Sequence, residues 1–149
     1  VATEFGTGRM VNFTQGNTGQ AVRASVSIPN VFQPTVIGKQ KYVDGGLTAP
    51  VPVTAARNMG ANFVIDVDIS QRPAKGATGF LAQLDQNLNI MNLAALNNEL
   101  KKANVVITPQ VQKLGAVGGF NQRDQAIKLG EEAARKALPQ IKAQLAKYR

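Results

Sequence analysis

The run Lys41-Tyr42-Val43-Asp44-Gly45-Gly46-Leu47, followed by Pro50-Val51-Pro52-Val53, constrains this chain more than any other segment. A strand-like stretch stops at a carboxylate, and two glycines follow at once. Glycine takes up positive φ at no steric cost, so Gly45 and Gly46 predict a sharp reversal that fixes the angle of the Asp44 side chain. A carboxylate held in that way is aimed into a cleft. Asp-Gly is equally the commonest turn dipeptide, and on the local pattern alone Asp44 reads first as a turn former.

The rest of the chain alternates short strands and helices. Val1 to Thr3 and Met10 to Thr14 read as strands around a Gly-rich turn at Gly6 to Gly8. That turn lacks the Lys-Ser/Thr and the following helix of a phosphate loop. Asn17 or Thr18 can cap a helix running to about Ser27, ended by Pro29. Phe32 to Ile37 and Lys41 to Val43 form a hairpin across Gly38 that delivers Asp44 at its end. Pro52 to Asn58 reads as a helix with proline in its first turn and Gly60 as its stop.

Asn62 to Ile69 is the best central-strand candidate, with Phe63, Ile65, Val67 and Ile69 on one face and Asp66 and Asp68 on the other. In an open α/β sheet the C-terminal end of a strand borders the ligand crevice. Asp68 is therefore a candidate acid supporting the site from behind. It is also a natural cap for the loop that starts at Ser70-Gln71-Arg72-Pro73. Ser70 to Gly79 reads as a linker-like surface loop. A helix from about Phe80 to Ala103 follows, carrying Leu81, Leu84, Leu88 and Met91 on one stripe and Leu93, Leu96 and Leu100 on its continuation. Val105 to Thr108 is a buried-strand run, and Gly115 to Phe120 is turn-like. The last helix spans about Arg123 to Tyr148, with Ile127, Gly130, Ala134, Leu138, Ile141 and Leu145 as its buried face. Pro139 predicts a kink or a restart within it.

Several of these segments occur together in one family. Ala21-Val22-Arg23-Ala24-Ser25-Val26-Ser27-Ile28-Pro29, then Phe32-Gln33-Pro34, then Asp44-Gly45-Gly46 and Pro50-Val51-Pro52-Val53, resemble the C-terminal half of a bacterial patatin-like phospholipase domain. Val1-Ala2-Thr3-Glu4 with Gly6-Thr7-Gly8-Arg9 is similar to the stretch preceding it. Gly60-Ala61-Asn62-Phe63-Val64-Ile65 and Gly130-Glu131-Glu132-Ala133-Ala134 carry the similarity almost to the end. The resemblance implies an α/β fold, a three-layer α/β/α sandwich of which residues 1–149 form the later portion of a single domain. It also implies that Asp44 partners a nucleophilic serine, with Gly45 and Gly46 shaping the turn.

The serine of that partnership sits in a Gly-x-Ser-x-Gly elbow, preceded by a Gly-rich oxyanion loop, and neither is present here. Ser25, Ser27 and Ser70 are the serines, and none has glycine two positions away on both sides. The expectation is that this chain is one part of a larger protein, whose N-terminal half supplies the nucleophile. Ser25 and Ser27 read as structural residues near the end of a helix. The absence of histidine excludes a complete Ser-His-Asp triad and histidine-ligated metal within these residues. The absence of cysteine removes disulfides and thiolate chemistry and leaves the compartment open. No apolar run approaches the ~20 residues needed to span a bilayer.

The net charge of +8 invites an anionic partner. Residues 99–149 hold ten Lys or Arg against four acids, and residues 1–98 contribute only +2. The C-terminal charges are separated by acids and alanines, with no Lys/Arg run longer than two and no aromatics placed to stack bases. That layout reads as a solvated face first and an anionic membrane surface second, and argues against nucleic acid. The function implied by the resemblance is hydrolysis of lipid acyl esters by a Ser-Asp dyad with no metal or organic cofactor. The competing reading is a patatin-like remnant without its nucleophile, acting as a basic module at membrane surfaces.

Overall fold

A computed structural model describes residues 1–72, 79–114 and 119–148. The chain is α/β. Strand β1 (Ala2–Glu4) and strand β2 (Met10–Val11) are antiparallel, turned through Gly8 at φ +68°. Helix α1 (Thr18–Ser25) starts where the Asn17 side chain accepts the Gln20 N–H at 2.9 Å, a side-chain cap of the expected kind. Strands β3 (Thr35–Ile37) and β4 (Gln40–Asp44) form the hairpin, with Gly38 at φ +63° in its turn. Together they make a four-stranded sheet in the order β2-β1-β4-β3, in which Ala2 faces Asp44 and Thr3 faces Val43.

Helix α2 (Val53–Asn58) begins one residue after Pro52, and the chain leaves it through Gly60 at φ +94°. Helix α3 (Phe80–Leu100) then connects strand β5 (Ile65–Val67) to strand β6 (Val105–Ile107), which pair in parallel with Ile65 opposite Val105. Val51, Val53, Val64 and Leu96 form the buried cluster between these elements, with Ala56, Ala61, Leu100 and Ala103 against it. Two polar clamps hold that core closed. Glu99 of α3 accepts the Thr54 N–H and its hydroxyl, each at 2.6 Å, and so caps the start of α2 from another helix. Arg57 donates to the carbonyls of Ala61, Asn62 and Lys102, which pins the turn after α2 to the end of α3.

Helix α4 (Arg123–Leu145) packs on β6. It runs through Pro139 as one helix and does not restart. Pro139 sits on the exposed side, where water can take up the hydrogen bond that proline forgoes. No helix among the described residues is long and apolar enough to cross a membrane.

The two faces of β5 are as expected, and the expected buried face of the last helix is not found. On β5 and the residue beyond its loop start, Ile65, Val67 and Ile69 are exposed, while Asp66 and Asp68 are buried. The alternation is as expected but the acids face inward, because among the described residues no element covers the apolar side. Helix α4 likewise buries none of its residues, and Ile127, Leu138 and Leu145 are exposed. Its partner strand is only three residues long, too short to cover a helix of 23 residues. On α3, Leu96 is buried, whereas Met91 is exposed. The side chains of Leu81, Leu84 and Leu88 on the expected stripe lie outside the described ones. Residues 73–78 of the expected linker loop and 115–118 of the expected turn also lie outside them.

Candidate active site around Asp44

Asp44 is the last residue of β4 and the first residue of a turn. Its side chain caps a single 3₁₀ turn, Gly45–Leu47, by accepting the Gly46 N–H on Oδ1 at 2.7 Å. The turn is fixed further by the N–H groups of Thr48 and Ala49, which both donate to the Gly45 carbonyl. Neither Gly45 nor Gly46 has positive φ, so the reversal expected from left-handed glycine does not occur here. Glycine is needed at 45 for a different reason. A β-carbon there would lie 2.5 Å from the Val1 carbonyl oxygen and 2.9 Å from its carbon. The demand is for close approach between the turn after β4 and the residue before β1, not for an unusual backbone angle.

The main chain of Asp44 is held from two sides. Its N–H donates to the Ser27 carbonyl at 3.0 Å, joining the end of β4 to the residues after α1. Its carbonyl accepts from Thr3 Oγ1 at 2.9 Å. Thr3 Oγ1 also lies 2.9 Å from the Thr48 hydroxyl. Thr3 and Ser27 thus set where Asp44 stands, through contacts that no local motif signals.

With Oδ1 engaged by Gly46, Oδ2 accepts no hydrogen bond among the described residues. The carboxylate is half-buried, and burial raises its pKa above the ordinary 3.8, against the opposing Gly46 N–H. The side chain opens on a cavity of about 300 Å³ walled by Ile28, Pro29, Asn30, Leu47 and Asn92. Asn30 is a non-glycine residue at φ +66°, a backbone state of the kind that recurs at functional sites. Chemically, the arrangement offers one free carboxylate oxygen of raised proton affinity, on a rigid strand end, facing a largely apolar hollow.

The serines do not join it. Ser27 is fully buried, donates its hydroxyl proton to the Arg23 carbonyl at 2.7 Å and lies 2.9 Å from Thr35 Oγ1. Ser25 closes α1 and is half-buried. Asp68 is 2% exposed; it accepts the Ser70 N–H at 2.9 Å and Arg72 Nη2 at 2.6 Å. It therefore caps its loop through both oxygens, and Ser70 and Gln71 of that loop share a second hollow with Gly46. Asp66, its neighbour on the same face, is buried with one oxygen, Oδ2, lacking a hydrogen-bond partner among the described residues. Burial first and the Asp68 charge second raise the Asp66 pKa, against the Val67 N–H. Among the described residues no three acids converge as a metal site requires.

The segment that carries Asp44 also matches a known family. Residues 1–57, from β1 into α2 and including Asp44, match the family described as patatin-like phospholipase. The chain is a patatin-like family member. It is similar to uncharacterized NTE family proteins of Mycobacterium tuberculosis and Mycobacterium bovis, at 32% identity over 93% of this chain and 28% of each relative. A second NTE family protein of Mycobacterium bovis is 33% identical over 47% of this chain and 19% of that protein. The patatin-like chain thus spans a little over a quarter of the length of the first relatives it matches, at 28%.

Proposed function

We propose that this patatin-like chain supplies the general base of a lipid acyl hydrolase, and that Asp44 is that base. The observation that carries the reading is the free, half-buried Asp44 carboxylate oxygen facing a cavity, within the 57 residues that match the phospholipase family. In this reading the nucleophile is a serine contributed upstream of Val1. The described elements are then the later portion of a three-layer α/β/α sandwich.

The chemistry follows from what Asp44 can do. It accepts the serine hydroxyl proton as the serine oxygen attacks the ester carbonyl. It returns that proton to the leaving alcohol as the carbon–oxygen bond breaks and the acyl-serine forms. Water then attacks the acyl-serine, passing a proton to Asp44, which hands it to the serine oxygen as the acyl–oxygen bond breaks; the acid leaves and the serine and Asp44 are regenerated. An ordinary Asp is a weak base for a hydroxyl, since its pKa lies near 3.9. Burial of Asp44 narrows that gap, and oxyanion stabilisation supplies the remainder of the rate. Asp68 supports this arrangement at a distance by holding the Ser70–Arg72 loop beside Gly46.

The test is acyl-ester hydrolysis by the natural full-length protein, before and after Asp44→Asn. Dependence of turnover on Asp44 supports the reading, and a variant as active as the parent ends it. The 149-residue chain alone is expected to be inactive, because it carries the base without the elbow serine. A second reading rests on α4, where Lys136 and Lys142 are exposed on a helix that buries none of its residues. In that case the fold serves as a module that binds anionic membrane surfaces and catalyses nothing.

A further inference from the structure

A third hollow lies at the carboxyl end of β6, on the side covered by α4. It holds about 370 Å³ and, among the described residues, shares no lining residue with the cavity at Asp44. One wall is β6 with the residues after it, from Val106 to Gln110; the other is α4 between Leu129 and Ala137. Ligands of open α/β sheets bind outside the carboxyl ends of strands, and small-molecule pockets run from roughly 300 to 1,000 Å³. Position and size both fit a small ligand.

The lining narrows the choice of ligand. Ile107, Leu129 and Ala133 offer carbon surface and Thr108 a hydroxyl, while Glu132 and Lys136 bring one negative and one positive charge. Those two stand four residues apart with the acid first, the spacing and order that favour an ion pair along a helix. The neighbouring pair on the same helix, Glu131 and Arg135, has that spacing and is closed at 2.7 Å. Glu132 and Lys136 form no ion pair and no hydrogen bond among the described residues, and both are exposed. A simple anion would be drawn by Lys136 and repelled by Glu132, and a simple cation the reverse. A zwitterion satisfies both, since each of its charges meets an opposite one.

We propose that this hollow binds a free α-amino acid with an apolar side chain. The ligand's ammonium group donates to Glu132, its carboxylate accepts from Lys136, and its side chain lies on Ile107, Leu129 and Ala133. At ~30 Å³ for each water in the liquid, the hollow has room for roughly twelve waters, enough for a guest the size of leucine. The site is independent of the reading of Asp44. Because the ligand touches both β6 and α4, its binding ties a helix that buries none of its own residues to the strand beneath it.

Calorimetric titration of the natural full-length protein with L-leucine tests this, beside probes that each lack one feature. Isocaproate lacks the ammonium group, isoamylamine the carboxylate and glycine the side chain. Each should bind about 10-fold or more weakly than leucine, the loss expected for a missing charged hydrogen bond or a missing apolar side chain. Glu132→Gln should weaken leucine by about 10-fold and leave isocaproate unweakened. Lys136→Met should weaken leucine as much and leave isoamylamine unweakened. Glu131→Gln, outside the hollow, should change none of these. Leucine should also raise the melting temperature of the parent.

No saturable binding of leucine overturns the proposal, and so does isocaproate or glycine bound as tightly as leucine. Leucine binding that Glu132→Gln and Lys136→Met both leave intact overturns it too. Phosphoethanolamine bound in place of leucine would reject the amino acid and make the hollow a head-group site. Should either variant fail to fold, the three probes on the parent decide the matter alone.

Discussion

Gly45 and Val1 approach each other so closely that a β-carbon on Gly45 would stand 2.5 Å from the Val1 carbonyl oxygen. The obstacle is main chain directly preceding β1, which is paired with β4 from Ala2 onward and cannot swing aside as a side chain would. Gly45→Ala should therefore destabilise the fold by about 1–3 kcal/mol, the range for forced overpacking, and toward its upper end. Gly46→Ala meets only the Asp44 carboxylate, 3.0 Å away, and should cost less. Urea midpoints for the natural full-length protein check the order. Equal midpoints for both variants would contradict it.

Asp44→Asn keeps the size and the bond from Gly46 but cannot take a proton from a hydroxyl. Turnover of an acyl ester should fall by about 10²- to 10⁴-fold, the usual cost of losing a general base. The comparison is Asp68→Asn, which weakens the contact to Arg72 and leaves the cavity wall intact; its effect on rate should be smaller. A dead Asp68→Asn beside an active Asp44→Asn would put the base at the wrong strand end.

The pH dependence has a definite sign. Burial raises the Asp44 pKa above 3.8, and a base works only when unprotonated. The kcat/KM for ester hydrolysis should rise with pH through that raised pKa, so the acid limb lies above the ordinary Asp range. Asp44→Asn should remove that limb from whatever activity persists. A limb at the ordinary Asp value would mean that the carboxylate is solvated during catalysis.

Asp66 gives an effect on stability that is separate from chemistry. Its folded pKa is raised, so the folded state holds the proton more tightly than the unfolded one. Its contribution is then fully present below the unfolded pKa and lost as pH rises through the folded value. Asp66→Asn removes the buried charge and should raise stability at neutral pH by roughly 1 kcal/mol, with the gain shrinking in acid. Thermal melts at pH 3 and pH 7 measure it. A gain of equal size at both would rule out charge as the cause.

Helix α4 carries the membrane question. If its exposed basic side attracts anionic lipid, Lys136→Glu with Lys142→Glu should weaken vesicle sedimentation. Added salt should do the same to the parent, because screening acts over roughly 8 Å at physiological ionic strength. Equal retention on neutral and anionic vesicles would leave the charge a role in solubility alone.

Local chemistry made part of this legible in the sequence. Asn17 caps α1 and Gly38 turns the hairpin that ends at Asp44, both readable within a few residues. What stayed hidden depends on distant partners. The need for Gly45 arises from Val1, brought near by pairing across the sheet, and the cap on α2 comes from Glu99, 45 residues beyond Thr54. Periodicity told which residues of β5 and α4 share a face. It did not tell whether anything lies over that face: Ile65 is exposed, and Ile127, expected on a buried face, is exposed too.

The parallel pairing of β5 with β6 bears on the order in which the molecule assembles. Ile65 cannot meet Val105 until the intervening chain, including all of α3, has closed into a loop. The hairpin of β3 and β4 closes across two residues, Gly38 and Lys39, and pays almost none of that entropy. Contacts close in sequence form fast and those far apart form slowly. The strand that bears Asp44 is therefore ready early, while the Asp68 side of the second hollow waits for the crossover. Pulse-labelled amide exchange during refolding would see protection at Tyr42 before it appears at Asp66.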